Sequence, residues 1–190
     1  AHKDRGQKLP TAVEHRAGVA NCLQLRGEYV YVAEGANGTR AYDAASIANK
    51  GFSQKLITAP FSPLGQDTRI KSANATCVAL ATTQPVSPRR NAGTEATREL
   101  MQDKNLEQPM HAIYKYAFIT DSEEGLILTD IDTLNNGEPR DNFFERALTW
   151  NENGVLKGAR HLYIAGTWLY VVADAGVVVL DIDDPLLPKY

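Results

Sequence analysis

The feature that most constrains this chain of 190 residues is a hairpin pattern that occurs three times. In each copy an aromatic residue is followed by a turn glycine and then by an aspartate that ends the next strand. The three copies are Tyr31, Gly38 and Asp43; Phe118, Gly125 and Asp130; and Tyr170, Gly176 and Asp181. The glycine follows the aromatic by 7, 7 and 6 residues, and the aspartate follows the glycine by 5 in every copy. Matched spacings at three places indicate an internal repeat.

The last copy, HLYIAGTWLYVVADAGVVVLDIDDPLLPKY at residues 161–190, shows most clearly what is repeated. Its β-branched and aromatic runs are typical of strands, its glycines mark turns, and the closing aspartates and proline end the last strand. One such hairpin is too small to bury a core, so repeats of this kind stack side by side. We therefore predict an all-β fold, namely a β-propeller section of about three blades.

Composition along the chain predicts the domain boundaries. Residues 1–19 are expected to form an N-terminal arm and residues 20–190 the propeller section. The predicted blades cover about 20–58, 76–150 and 158–190, the last of them incomplete. Residues 52–58 are predicted to be the outer strand of the first blade.

The second blade contains a predicted insertion at residues 84–112, where the sequence becomes polar and permits a helix over 94–107. Insertions in repeat proteins map to loops on one face, often the binding face. The insertion is therefore predicted to contact a protein partner, through a set of residues that comprises Arg89, Arg90, Glu95, Arg98 and Met101.

Three blades do not close a ring, because propellers have four to eight. We expect further blades of the same longer protein, or a partner chain, to complete the fold. The apolar strand at residues 177–180 is predicted to pair with a strand from outside residues 1–190. Tyr31, Val32, Val171 and Val179 are predicted to be buried between blades.

Residues 165–188, AGTWLYVVADAGVVVLDIDDPLLP, resemble the LVIVD-repeat β-propellers, whose blades carry the pattern "YVA…G…LDI…P". Residues 27–43 and 116–132 resemble it less closely. Members of that family occur mostly in secreted or surface proteins of bacteria and archaea. The resemblance therefore implies an extracellular, cell-surface or periplasmic location.

The two cysteines occupy related places in the repeat. Cys22 lies nine residues before Tyr31, His161 lies nine residues before Tyr170, and Cys77 begins the corresponding strand of the second blade. Equivalent positions on adjacent blades are neighbours, so one interpretation is a Cys22–Cys77 disulfide, which agrees with an oxidising compartment. The other is a pair of buried thiols that behave as small apolar residues.

Three histidines, His15, His111 and His161, each precede a hairpin. They are candidate ligands of a metal, because imidazoles from several blades can converge near one face. The alternative is a separate structural role for each. The aspartates that follow Asp130 and Asp181 are interpreted as exit turns rather than calcium ligands, since they lack EF-hand spacing.

Other functional classes find little support. A net charge of -3, with no basic run longer than Arg89-Arg90, argues against nucleic-acid binding, and no apolar run is long enough to span a membrane. We predict a non-catalytic binding or scaffold module that recognises a protein partner and needs no cofactor. The alternative is a propeller subunit of a redox complex, with a transition metal on its histidines or a haem held by a partner chain.

Overall fold

The structure, a computed structural model, describes residues 19–27, 29–43, 68–81, 111–134 and 143–190. These residues form three antiparallel sheets. The first sheet contains β1 (Cys22–Arg26), β2 (Tyr29–Ala33), β3 (Thr39–Asp43) and β4 (Arg69–Ile70). The second contains β5 (Ala75–Leu80), β6 (Tyr116–Asp121), β7 (Gly125–Asp130) and β8 (Arg146–Trp150). The third contains β9 (His161–Ala165), β10 (Trp168–Ala173) and β11 (Gly176–Asp181).

Each sheet is a meander in which strands that are consecutive in sequence are hydrogen-bonded neighbours. Short 3₁₀ helices at Ala112–Lys115, Asp132–Leu134 and Glu152–Gly154 connect or follow strands, and no α-helix occurs in the described segments. The all-β prediction is confirmed. Residues 1–18, the predicted strand at 52–58 and residues 82–110, which include the predicted helix, lie outside the described residues.

The three-point repeat has a physical cause in the turns. Gly38, Gly125 and Gly176 have φ angles of 79°, 91° and 111°, a backbone region that side chains with a Cβ disfavour. At Gly38 a Cβ would also overlap the carbonyl oxygen of Ile70. The marker aspartates, in turn, are the last residues of β3, β7 and β11. The spacing thus records where each hairpin turns and where its second strand ends.

Strands β5, β6 and β7 of the second sheet are buried on both faces because this sheet lies between the other two. Along β5, Val78 and Leu80 pack in a cluster with the first sheet, whereas Cys77 and Ala79 pack in a cluster with the third. This alternation follows the two-residue period of a strand. Every residue of β6 is buried, which explains its unbroken apolar character.

The marker aromatics of the repeat show how successive sheets are stacked. Tyr31 of the first sheet packs into the cluster shared with the second sheet, where its ring stacks on Phe144 at 6.2 Å between centroids. Phe118 of the second sheet packs into the cluster shared with the third. Tyr170 of the third sheet is 39% exposed instead. Each aromatic therefore points toward the next sheet along the chain, where one is present.

Burial between sheets is confirmed for Tyr31 and Val171, which lie in core clusters shared by two sheets. Val32 is buried but belongs to neither cluster, and Val179 is 38% exposed, so the prediction is wrong for Val179. Val179 lies opposite Tyr170 in the register, on the outer face of the third sheet, which no described residue covers. Only Val178 and Leu180 of β11 reach the core cluster.

Within the described residues, no helix is both long and apolar enough to cross a membrane.

Candidate functional site

The first strands of the three sheets, β1, β5 and β9, lie side by side. Together they line a cavity of about 280 Å³, whose walls are mainly aliphatic side chains and backbone. Metal-binding and redox-active residue types occur at one end of these strands. The cavity and those residues form the candidate site.

Side-chain hydrogen bonds to the backbone fix the position of β1 against β5. The Gln24 amide nitrogen donates to the carbonyl oxygen of Leu80 at 3.0 Å, and its amide oxygen accepts from the Leu80 N–H at 2.8 Å. Asn21 likewise donates to the carbonyl oxygen of Ala75 at 2.9 Å. The Gln24 bonds occupy both backbone polar groups of Leu80, and the three bonds together align the two strands at the site.

Cys22 and Cys77 form a disulfide between the first and second sheets, with Cα atoms 4.8 Å apart. Cys22 is the first residue of β1 and is partly buried, whereas Cys77 is 1% exposed. The bond links residues 55 apart in sequence. Of the two sulfur atoms, that of Cys22 is therefore the more accessible to solvent.

His161, the first residue of β9, brings an imidazole to this disulfide. Its Nδ1 lies 3.1 Å from the Sγ of Cys77. The ligand atoms of Cys22, Cys77 and His161 all lie within 4.8 Å of one another. Two sulfur atoms and one imidazole nitrogen are ligand types that zinc and other soft or borderline metals bind.

His111 is engaged elsewhere. Its Nδ1 accepts a hydrogen bond from the Ile113 N–H at 3.2 Å, which caps the 3₁₀ helix Ala112–Lys115. Its Nε2 lies 3.3 Å from a carboxylate oxygen of Asp183, so this nitrogen carries the proton. Asp183 follows the end of β11, whereas His161 lies at the other end of the third sheet, opposite Val172. The buried His111 ring therefore has a structural role.

His15 lies outside the described residues, so the three-histidine metal set stays a prediction. The same is true of the proposed partner-contacting residues of the insertion, Arg89, Arg90, Glu95, Arg98 and Met101.

Comparison with known families identifies the repeat. A model of the LVIVD repeat matches residues 17–39 and 158–189. This chain carries LVIVD repeats. The resemblance seen in the sequence is thereby confirmed, although the matched segments make up less than a third of the chain. No curated protein and no solved structure matches it significantly.

The two matched LVIVD segments contain two of the three site residues. Cys22 lies in the first segment and His161 in the second, each as the first residue of its sheet's first strand. The sheet between them contributes Cys77. The site is thus built from equivalent repeat positions on three neighbouring sheets.

The acidic residues that end or follow β7 and β11 form local turns. Asp130 accepts a hydrogen bond from the Asp132 N–H at 2.8 Å, and Asp181 accepts one from the Asp183 N–H at 2.9 Å. Asp184 does the same for the Leu186 N–H at 3.0 Å. These bonds to the backbone agree with the exit-turn interpretation. Burial raises the pKa of Asp132, while nearby Lys115 opposes that rise.

Sequence reasoning found the three site residues but did not combine them. It offered a disulfide or two buried thiols for Cys22 and Cys77, and a histidine metal set or a separate structural role for His161. The signal that unites them was present, since Cys22 and His161 each precede the marker aromatic by nine residues. What the spacing could not supply was the sideways distance between β5 and β9.

Proposed function

We propose that this chain is a section of a β-propeller that serves as a non-catalytic binding module. The observation that carries the proposal is an exposed apolar face on the third sheet. The proposed function requires no cofactor.

That face consists of the outward side chains of β9, β10 and β11. Tyr170 lies at its centre, flanked across the strands by Tyr163 on one side and Val179 on the other. Trp168, Val172 and Val177 extend the face, and all six side chains are at least 38% exposed. Contiguous exposed patches of aromatic and aliphatic residues mark interaction surfaces.

The repeat indicates what this face would bind. The equivalent aromatics Tyr31 and Phe118 are covered by the following sheet in each case. By the same geometry, the occupant of the Tyr170 face is another antiparallel sheet of the same repeat type. A longer form of this protein or a second copy of the chain would supply it. The opposite end offers a matching surface, because Leu23 and Leu25 of β1 are 60% and 58% exposed.

The proposed setting is extracellular, cell-surface or periplasmic. Disulfides persist in oxidising compartments, so the Cys22–Cys77 bond supports this location. The LVIVD match supports it as well, by resemblance. We retain the insertion at 84–112 as a second proposed surface, directed at a protein partner.

Sedimentation velocity of the purified chain tests the proposal. In a sample that contains this chain alone, a sheet that docks on the Tyr170 face must come from another copy. We expect concentration-dependent association of the unaltered chain. The triple variant Tyr163→Ser, Tyr170→Ser and Val179→Thr should sediment as a monomer, since it makes the centre of the apolar face polar without changing a buried residue. Leu187→Ser, at a position 65% exposed outside the face, is the matched control and should associate normally.

Two outcomes would contradict the proposal. One is an unaltered chain that stays monomeric and folds cooperatively across the whole concentration range. The other is association that persists in the triple variant to the same extent as in the Leu187→Ser control.

A further inference from the structure

We propose that Cys22, Cys77 and His161 form a redox-gated metal site. In the oxidised protein the disulfide occupies both sulfur atoms. Reduction frees two thiolates, which together with the His161 imidazole bind one thiophilic divalent cation of the Zn²⁺ type. The site borders the sheet-docking face, since Tyr163 belongs to that face and also lines the cavity, but the inference does not depend on sheet docking.

The spacing of the ligand atoms suits such an ion. A tetrahedral zinc site has metal–sulfur distances of about 2.3 Å and metal–nitrogen distances of about 2.0 Å, which places ligand atoms roughly 3.5 to 3.8 Å apart. The three ligand atoms lie within 4.8 Å of one another, and the Nδ1 of His161 is 3.1 Å from the Sγ of Cys77. After reduction the two sulfur atoms must move apart to this spacing, a change that the proposal assigns to rotation of the cysteine side chains.

The surroundings leave one coordination position open. Three protein ligands are one fewer than a closed structural zinc site uses. The ligands lie at the wall of the cavity of about 280 Å³ between β1, β5 and β9. A water molecule or one donor atom of a small ligand therefore completes the tetrahedron from the cavity side.

Reduction can proceed from the accessible side of the disulfide. A thiolate of a dithiol reductant attacks the sulfur of Cys22, the partly buried member, and forms a mixed disulfide with it. The Cys22–Cys77 bond breaks, and Cys77 leaves with the electron pair as a thiolate. His161 lies close enough to stabilise that thiolate through Nδ1–H. Proximity to an imidazole favours the thiolate form.

The second thiolate of the reductant then attacks its own sulfur in the mixed disulfide. This step releases Cys22 as a thiolate and closes the reductant to its cyclic disulfide. Two electrons have passed from the dithiol to the cysteine pair. The two protons of the dithiol go to the cysteine sulfurs or to solvent, and metal binding keeps both cysteines deprotonated.

The topology of the repeat makes the convergence specific. Cys22 and His161 begin the first strands of the first and third sheets, and Cys77 lies on the sheet between them. A bound metal therefore joins all three sheets, whereas the disulfide joins only the first two. Reduction in the presence of metal thus exchanges one cross-link for another.

Titration with Co²⁺ tests the site, because thiolate ligation of Co²⁺ gives a charge-transfer band in the near ultraviolet. The protein is reduced with a phosphine, which does not compete through thiols. We expect one Co²⁺ per chain, displaced by Zn²⁺, and no band in the oxidised protein. His161→Ala should weaken binding by about 10-fold or more, the order of loss seen when groups that support metal ligands are removed. Leu187→Ser, at an exposed position outside the cavity wall, is the control and should bind as the unaltered chain does.

The thermal unfolding midpoint provides a second readout that does not depend on the absorption band of Co²⁺. Zn²⁺ should raise the midpoint of the reduced unaltered chain and of Leu187→Ser, because a ligand that binds only the folded state stabilises it. It should leave the oxidised chain unchanged. The proposal is overturned if the reduced, folded chain binds no Co²⁺, or if His161→Ala binds it with unchanged affinity. Neither result bears on self-association through the Tyr170 face.

Discussion

At the scale of single residues, β10 separates two environments within one strand. Val171 is fully buried against the second sheet, while the adjacent Val172 is 38% exposed on the outer face. Val171→Ala should lower the free energy of unfolding by about 1 to 3 kcal/mol, because it leaves a cavity in the core. Urea unfolding measures this difference, with Val172→Ala as the control. Equal losses in the two variants would show that the face assignment is wrong.

Asp121 provides a residue-scale prediction for pH. It accepts hydrogen bonds from the N–H groups of Glu123 at 2.9 Å, Glu124 at 3.0 Å and Asn74 at 2.6 Å. Burial alone would raise the pKa of Asp121, but the backbone hydrogen bonds outweigh burial and lower it below the usual value of 3.8. These hydrogen bonds stabilise the charged carboxylate more than the protonated acid, because the charged oxygens are the stronger acceptors.

Because the pKa is lower in the folded state, the stabilisation from Asp121 is complete above about pH 3.8 and is lost as pH falls through the folded value. Asp121→Asn should therefore be less stable than the unaltered chain at neutral pH, with the difference shrinking in acid. Denaturant unfolding at a series of pH values measures it. A difference that stays constant down to pH 2 would contradict the role assigned to this carboxylate.

At the scale of elements, the junction between β3 and β4 depends on a glycine. Gly38 has a positive φ and its Cα faces the Ile70 carbonyl of β4, whereas Gly27 has a positive φ of 58° with open space around it. Gly27→Ala should cost about 1 kcal/mol, the penalty for a Cβ in the left-handed region. Gly38→Ala should cost clearly more, because β4 must also move.

Thermal unfolding of both glycine variants measures these costs. Gly27→Ala measures the cost of the positive φ angle alone, because no atom lies close to the added Cβ. If the two variants lose equal stability, the close approach of β4 to Gly38 has no energetic weight.

Much of the element pattern was accessible from sequence. Strand alternation and turn glycines identified the hairpins of all three sheets, since both signals are local. The two-residue β4 was missed, because Arg69–Ile70 has no periodicity and its position is set by contact with the Gly38 turn. Val179 was misjudged for a different reason. Its pattern is that of a buried strand, but burial depends on a neighbouring sheet that the sequence pattern does not supply.

The site was less predictable than the strands. Equal spacing from the marker aromatics placed Cys22 and His161 at equivalent positions, and Cys77 near them. Which of these side chains touch depends on how far apart β1, β5 and β9 lie. The contacts between these strands join residues far apart in sequence, as when Ala79 and Leu162 share one core cluster, and residue spacing does not encode them.

At the scale of the whole molecule, the disulfide is a covalent cross-link between the first and second sheets. The double variant Cys22→Ser and Cys77→Ser should have a free energy of unfolding about 2 to 4 kcal/mol lower than that of the oxidised chain, measured in a buffer that contains a metal chelator. The reason is that the disulfide restricts a long loop in the unfolded chain. Chemical denaturation reports the loss. The unaltered chain after reduction should behave like the double variant in the same metal-free buffer. A double variant as stable as the oxidised chain would leave the bond without a stabilising role.

The double burial of the second sheet also sets an order of local opening. Amides of β6 and β7 are shielded on both faces, whereas β11 is bonded to β10 along one side and has an uncovered outer face. Native-state hydrogen exchange should therefore proceed from the outside inward. Protons of β11 are lost early through small fluctuations, and those of β6 and β7 are lost only when the whole chain unfolds. Amide exchange in β6 and β7 should therefore be the slowest among these strands, and its rate should report on global unfolding.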